Sequence, residues 1–263
     1  MKIRSISITL IGLCIIGGLT AGLFSRSIEA ALTLPLSVKT NPSTNRGSTM
    51  PVGTAKPSAP TPSPANGGTI LAQDTFHRAN QVFWGTASDG RQWVGDANSI
   101  EVFSITGGTG QVDHAQGAFN AILGPSNTNV EVVFSGVVNQ FTQNGGVNMG
   151  AVLRWTGGNN WYKALIDGTK LQILKRVNGK TTSLGSVAYK AQSGISYTLR
   201  FRALGAALSI KVWPSSQLEP NAWMLTVMDA AFSAGFGGLR FLMQNNTVIK
   251  VTMFHETTVN NIA

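Results

Sequence analysis

Acidic side chains are the first candidates for chemistry, because acid–base catalysis by carboxylates needs two of them held close together. From Thr69 onward the chain has ten acidic residues, and no two of them lie two residues apart on one predicted strand. His77, His114 and His255 are scattered and match no metal-binding spacing such as H-E-x-x-H. The sequence therefore indicates no catalytic cluster, although acids that are distant in sequence can still converge in the fold.

Aromatic rings beside polar side chains form a second suggestive pattern, because sugars stack on rings while polar groups fix their hydroxyls. Trp155 and Trp161 flank a TGGNN turn and could present their rings at a rim. Arg154 and Tyr162 become near neighbours if the strands on either side of this turn pair, and Lys163 follows Tyr162. We predict that these five residues contact a polyol or glycan. The alternative is a cation–π pair that only shields the sheet.

Arg200 and Arg202 alternate with apolar residues and so share one face of a predicted strand. They could extend a basic strip that would favour anionic glycans or wall polymers, although a solvated face is the alternative. The overall charge is +9, but fourteen of the 20 Lys and Arg and ten of the 11 Asp and Glu lie from Thr69 onward. This mild balance argues against a nucleic-acid partner, which needs a dense basic face.

Period-2 alternation interrupted by turn residues is the pattern that must position these side chains. Asp167-Gly168 and Asn178-Gly179 join neighbouring segments and suit tight hairpin turns. The clearest alternating segments are 129–138, 147–155, 161–166, 170–177, 195–202, 207–213 and 247–254. We expect twelve or more short strands, and hence an all-β fold built as a two-sheet antiparallel sandwich.

The first 68 residues differ in composition from the rest. Residues 1–31 hold a basic start and a nineteen-residue apolar run, Ile6–Phe24, which predicts a hydrophobic helix acting as a signal peptide or an uncleaved membrane anchor. Residues 32–68 form a Pro/Ser/Thr-rich linker that is expected to be disordered. The only cysteine, Cys14, lies in the apolar run, so the domain 69–263 has no disulfide. We expect that domain to be displayed outside the cell, either secreted or held at the surface.

Several motifs of residues 69–263 resemble the concanavalin A-like lectin/glucanase superfamily in its laminin G-like branch. The motifs are DTFHR at 74–78, WGTASDGRQW at 84–93, GGTG at 107–110, VLRWTGGNNWYKALIDG at 152–168, KRVNGKTTSLG at 175–185, YTLRFRALG at 197–205 and KVWPSSQLEPNAWMLTVMD at 211–229. The resemblance implies a jelly roll of two curved sheets that is often extracellular and often glycan-binding. It does not imply a single activity, because this fold serves lectins, hydrolases and adhesion modules.

The resemblance also implies a structural calcium ion, since laminin G-like sandwiches often hold one through oxygen ligands. Asp74 and Asp229 fall in the matching motifs and are the carboxylates to test. The alternative is that both cap turns through hydrogen bonds. The favoured function is a non-catalytic module that binds a glycan or cell-wall polysaccharide and is tethered to the membrane by its N-terminal segment. The alternative is a surface adhesion or structural domain that binds protein rather than sugar. A glycoside-acting hydrolase is a third hypothesis, which the residues support less.

Overall fold

The computed structural model describes residues 68–260, and these form an all-β sandwich of two antiparallel sheets. The predicted fold class is therefore confirmed for this part of the chain. The predicted N-terminal helix and nearly all of the predicted linker lie outside the described residues and stay predictions. Within the described residues, no helix is both long enough and apolar enough to cross a membrane.

The first sheet contains nine strands in the order β14-β13-β12-β7-β16-β5-β4-β2, with β1 also paired to β16. The strands are β1 (Ile70–Asp74), β2 (Gln81–Val82), β4 (Phe103–Thr106), β5 (Thr109–Val112), β7 (Val130–Val138), β12 (Ser196–Leu204), β13 (Ala207–Pro214), β14 (Leu225–Met228) and β16 (Ile249–Thr258). Its long strands alternate as the sequence predicts, so that Tyr197, Leu199 and Phe201 of β12 all enter the core.

The second sheet contains seven strands in the order β11-β10-β9-β8-β15-β6-β3. The strands are β3 (Val94–Gly95), β6 (Gly117–Ile122), β8 (Asn148–Gly157), β9 (Asn160–Ile166), β10 (Lys170–Val177), β11 (Lys180–Ala188) and β15 (Phe236–Met243). A single turn of 3-10 helix, Asp96–Asn98, follows β3. The two predicted hairpins are present, and Asn178 and Gly179 both adopt the positive φ angles that their tight turn requires.

The core lies between the two inner faces and is aromatic at one side. Trp84 packs edge-on against Phe76, Trp93 and Phe103, with ring centroids 4.9–5.1 Å apart. Such edge-to-face contacts add to the burial energy of large rings. Because residues 69–263 contain no cysteine, this apolar packing is what holds the sandwich together.

Candidate functional site

A cavity of about 310 Å³ lies at one end of the sandwich, where loops from both sheets meet. We call it the end cavity. It is lined by Thr128 and Asn129 before β7, Gly205 and Ala206 between β12 and β13, Ala230, Phe232 and Ser233 between β14 and β15, and Arg154 of β8. Its volume is at the lower bound for small-ligand pockets in proteins and suits a single small ring.

Arg154 enters the cavity because β8 bulges at this point. The pairing of β8 with β9 is regular up to Leu153 and resumes only at Gly157, and Arg154 adopts a φ of 51°. A left-handed backbone is unusual for a residue with a Cβ and redirects the side chain. Gly235 packs directly on the Arg154 backbone, where a side chain would not fit. The bulge thus turns a strand residue toward the loops at the end of the sandwich.

The Arg154 guanidinium joins three of the loops that line the end cavity. Nε and Nη2 both donate to the carbonyl of Thr128, at 3.1 and 2.8 Å. Nη1 donates to the carbonyl of Phe232 at 2.8 Å, and Nη2 donates to that of Gly205 at 2.7 Å. The side chain is only 2% exposed, and its burial lowers the pKa of Arg154 from its ordinary value. Arg154 therefore shapes the cavity and leaves a positive charge in its wall.

Tyr162, Asp229 and Lys175 form a connected group beside the cavity. The Tyr162 hydroxyl donates to Oδ1 of Asp229 at 2.6 Å and accepts a hydrogen bond from the backbone N–H of Phe232 at 3.1 Å. Lys175 donates to Oδ2 of Asp229 at 2.5 Å. Burial, reinforced by the bond to Asp229, raises the pKa of Tyr162 to about 12. Burial opposes ionisation of Asp229, but the bonds from Lys175 and Tyr162 hold its pKa below the usual value.

Aromatic rings cluster near the same loops. Phe232 lines the end cavity and packs edge-on against Tyr162, with centroids 5.1 Å apart. Phe236, at the start of β15, lies opposite Trp155 and is 39% exposed. Directly opposed residues of an antiparallel pair share one face of the sheet. The arrangement places aromatic residues beside a cavity whose lining includes the Arg154 side chain, and rings beside a fixed polar group can bind a sugar.

Of the predicted contact residues, the structure brings Arg154, Trp155 and Tyr162 to this end of the sandwich but separates Trp161 and Lys163 from the cavity. Tyr162 lies opposite Leu153 and so next to Arg154, as expected from the pairing of these strands. It is fully buried in the core, however, and does not present an open surface to a glycan as predicted. Trp161 and Lys163 alternate with Tyr162 on β9 and therefore point to the outer face of the second sheet.

On that outer face both residues are buried by their neighbours. Trp161 is 2% exposed, and the Arg240 guanidinium lies 5.0 Å from its ring centroid. Lys163 donates to Oδ1 of Asn148 at 2.5 Å, and burial lowers its pKa well below the ordinary value, with the charge of Arg240 acting in the same direction. Trp161 offers no open ring face for a sugar in this arrangement.

Arg200 and Arg202 lie on the outer face of the first sheet, but they do not form an open basic strip. Glu131, which is fully buried, binds both arginines, and its Oε2 lies 2.7 Å from Nη2 of Arg202. Glu219 accepts from Arg200 and Lys211, at 2.7 and 2.8 Å. Each of the three cations has a carboxylate partner, so this face is not the open basic strip that the sequence suggested.

Asp74 and Asp229, the residues proposed for calcium, are surrounded by hydrogen-bond donors. Oδ1 of Asp74 accepts from Phe76 N and Arg78 Nη1, both at 2.8 Å, and Oδ2 accepts from Trp93 Nε1 at 2.7 Å. Asp229 has the partners given above and also accepts from the N–H of Ala231. Among residues 68–260 no group of three or more His, Asp and Glu could hold a metal ion. Neither carboxylate fits calcium, and the bonds match the alternative role of capping turns.

Several residues of the site were missed by sequence reasoning. Phe232 and Phe236 lie in no motif, and Lys175 lies in one that gave it no role. The β14–β15 loop brings Asp229 and Phe232 to Tyr162 and Lys175, the residues of β9 and β10. The Tyr162–Asp229 bond joins residues 67 positions apart. Asp229 was noticed only through a resemblance and was then given a different role.

Known proteins share the fold of this chain but little of its sequence. No family model matches it, and no curated protein does. Among solved structures, a xylan β-1,4-xylosidase from Bacillus halodurans C-125 is similar over 76% of this chain and 40% of its own, at 12% identity and a TM-score of 0.53. The Bacteroides ovatus protein named xyloglucan PUL GH43B is similar over 71% of this chain and 39% of its own, at 14% identity and a TM-score of 0.51.

A smaller neighbour is the carbohydrate binding module CBM66 from Bacillus subtilis. It is similar over 61% of this chain and 94% of its own, at 17% identity and a TM-score of 0.49. The chain spans about 40% of the xylosidase and nearly all of the module. At 12–14% identity the likeness to the two longer proteins shows a shared fold and no more.

Proposed function

We propose that this protein is a non-catalytic glycan-binding module whose ligand enters the end cavity. The observation that carries the proposal is the cavity itself, whose lining includes both Phe232 and Arg154. A ring for stacking and a fixed polar group are the two elements of sugar recognition. Neighbours of the same fold act on xylan or bear the name of xyloglucan, which supports a carbohydrate ligand.

The lining residues argue for binding rather than hydrolysis. Glycoside hydrolysis uses a pair of carboxylates on either side of the scissile bond. The described lining of the end cavity includes no Asp or Glu, and the nearby Asp229 is engaged by Tyr162 and Lys175. We further propose export and tethering at the cell surface, supported by the apolar run of residues 6–24 and the proline-rich segment that follows.

A glycan array followed by calorimetric titration tests the binding function. We expect Phe232→Ala to weaken binding of the best glycan by at least about tenfold, because the stacking surface is lost. Phe141→Ala is the matched control, since Phe141 is also a half-buried phenylalanine packed on the core and lies against Gly168 at the opposite end of β9. A protein that binds no glycan, or equal loss in the two variants, would rule the proposal out.

A further inference from the structure

The Arg154 guanidinium is a buried charge that has no carboxylate beside it. Among residues 68–260, no Asp or Glu oxygen lies within 4.0 Å of its nitrogens, and its partners are three backbone carbonyls. Asp229, which directly precedes the lining residue Ala230 in the chain, is held by Tyr162 and Lys175. Carbonyl dipoles satisfy the N–H groups, but they do not neutralise a charge that has been removed from water.

The other largely buried cations pair with carboxylates, keep some exposure or can lose their charge. Arg200 and Lys211 bind Glu219, and Arg200 also binds Glu131. Arg240 also has no carboxylate of the described residues within 4.0 Å, but it is only partly buried, and although burial lowers its pKa, the charge of Asp96, which binds Asn120, acts to raise it. Lys163 has only an amide partner, but an amine can release its proton when buried. Arginine keeps its proton under all ordinary conditions, so Arg154 is the fully buried member of this set whose charge persists without a counter-ion.

The uncompensated charge belongs to a residue that lines the end cavity, so an anion in the cavity would lie beside it. Four hydrogen bonds use four of the five N–H groups of Arg154. The remaining N–H is on Nη1, which makes a single bond. One charge and one free donor match a singly charged anion. They do not match the two charges of a phosphate monoester.

Resting on the function proposed above, we propose that the end cavity selects sugars that carry one negative charge, as a carboxylate or a sulfate ester. The sugar ring packs against Phe232, and its anionic group compensates Arg154. Neutral sugars of the same shape bind at the same place but more weakly. The preference is electrostatic and therefore weakens as salt is added.

The test compares ligands on the unaltered full-length protein, so that no variant has to fold. We expect D-glucuronate and glucose 6-sulfate to bind at least about tenfold more tightly than glucose and glucuronamide at low salt. The ratio of the affinities for D-glucuronate and glucose 6-sulfate shows whether a carboxylate or a sulfate ester is preferred. We expect the advantage to shrink severalfold between 20 mM and 500 mM NaCl, on the order set by the shorter screening length. Equal affinities for glucuronate and glucuronamide would overturn the inference.

A pair of variants then locates the effect. Ser233→Asp places a carboxylate in the cavity lining, and Ser233→Asn makes nearly the same change of shape without charge. We expect the glucuronate-to-glucose preference to be severalfold lower in Ser233→Asp than in Ser233→Asn, whatever both do to affinity. An identical preference in the two variants would place the selectivity elsewhere. If neutral sugars bind without any preference for acids, the inference fails and the proposed function stands; if no sugar binds, both fail.

Discussion

At the scale of single residues, the fold is sensitive to the charge of one buried side chain, Glu256. Glu256 of β16 points between the sheets and is fully buried, and neither of its carboxyl oxygens accepts a hydrogen bond of normal geometry. Gly124 and Gly237 leave the space that the carboxyl group fills, because a side chain at either position would overlap it. Burial raises the pKa of Glu256 to about 8, with Arg91 and the Gly237 N–H opposing the shift.

The Glu256 carboxyl group should make the stability of the folded protein depend on pH. Its folded pKa lies above the ordinary value of 4.5, so the folded state binds the proton more tightly. The stability it allows is fully present below about pH 4.5 and is lost as the pH rises through 8. We expect the free energy of unfolding of Glu256→Gln, relative to that of the natural protein, to increase by about 1 kcal/mol per pH unit between pH 5 and 8.

Urea denaturation at pH 5, 6.5, 8 and 9 measures the effect of Glu256→Gln. Glu101→Gln is the control, because Glu101 is exposed. A difference between natural protein and Glu256→Gln that stays constant over this range would show that the carboxyl group does not titrate as described.

At the scale of whole strands, a network of charged side chains connects neighbouring strands of the first sheet. The outer face of the first sheet joins β7, β12 and β13 through Glu131, Arg200 and Lys211, and Trp223 covers it from the following loop. The Trp223 ring lies 4.8 Å from the Arg202 guanidinium and 5.0 Å from the Lys211 amine. The network closes this face with compensated charges. At the cavity end, in contrast, the bulge in β8 interrupts the pairing with β9 at Arg154, which lines the cavity.

Removing the central carboxylate of this network should be costly. Glu131→Gln leaves two arginines facing a neutral amide, and we expect a loss of about 3 kcal/mol in the free energy of unfolding. Glu219→Gln is the comparison, since Glu219 is 27% exposed and the charges it leaves can be solvated; its loss should be about 1 kcal/mol. Guanidinium denaturation of both variants measures the difference. Losses of equal size would show that burial of Glu131 does not govern the network.

The sandwich as a whole should fold without help from the preceding segment or from covalent links. Residues 69–263 contain no cysteine, and the core clusters residues from β1 to β16 in one contiguous body. A domain of this size buries about 70% of its surface on folding. One core of this kind unfolds cooperatively.

A fragment of residues 68–263 tests this expectation. We expect a single calorimetric transition whose van't Hoff and calorimetric enthalpies agree, and a melting temperature that reducing agent leaves unchanged. Two separate transitions would mean that the two sheets do not share one cooperative core.

The sequence predicted the elements of the fold better than it predicted the site. Strand and turn patterns are local, so β10 was predicted with its exact bounds and the turn at Asn178-Gly179 with its conformation. The turn between β8 and β9 also led to the prediction that Arg154 and Tyr162 lie near one another if the two strands pair, and they do pair. The sequence did not predict the bulge at Arg154. It also did not predict the partners of the guanidinium, because the carbonyls of Thr128, Gly205 and Phe232 are distant from Arg154 in the chain.

The amino-acid order by itself determined a disulfide-free, all-β domain with tight hairpins and no local cluster of acids, since alternation, turn residues and composition are properties of short segments. Tertiary structure alone decided which charges are compensated. Glu131 pairs with both Arg200 and Arg202 from a strand some 70 residues away, while Arg154 finds only carbonyls at the end of the sandwich. Charge compensation depends on distances across the fold, and those are set only when the two sheets pack.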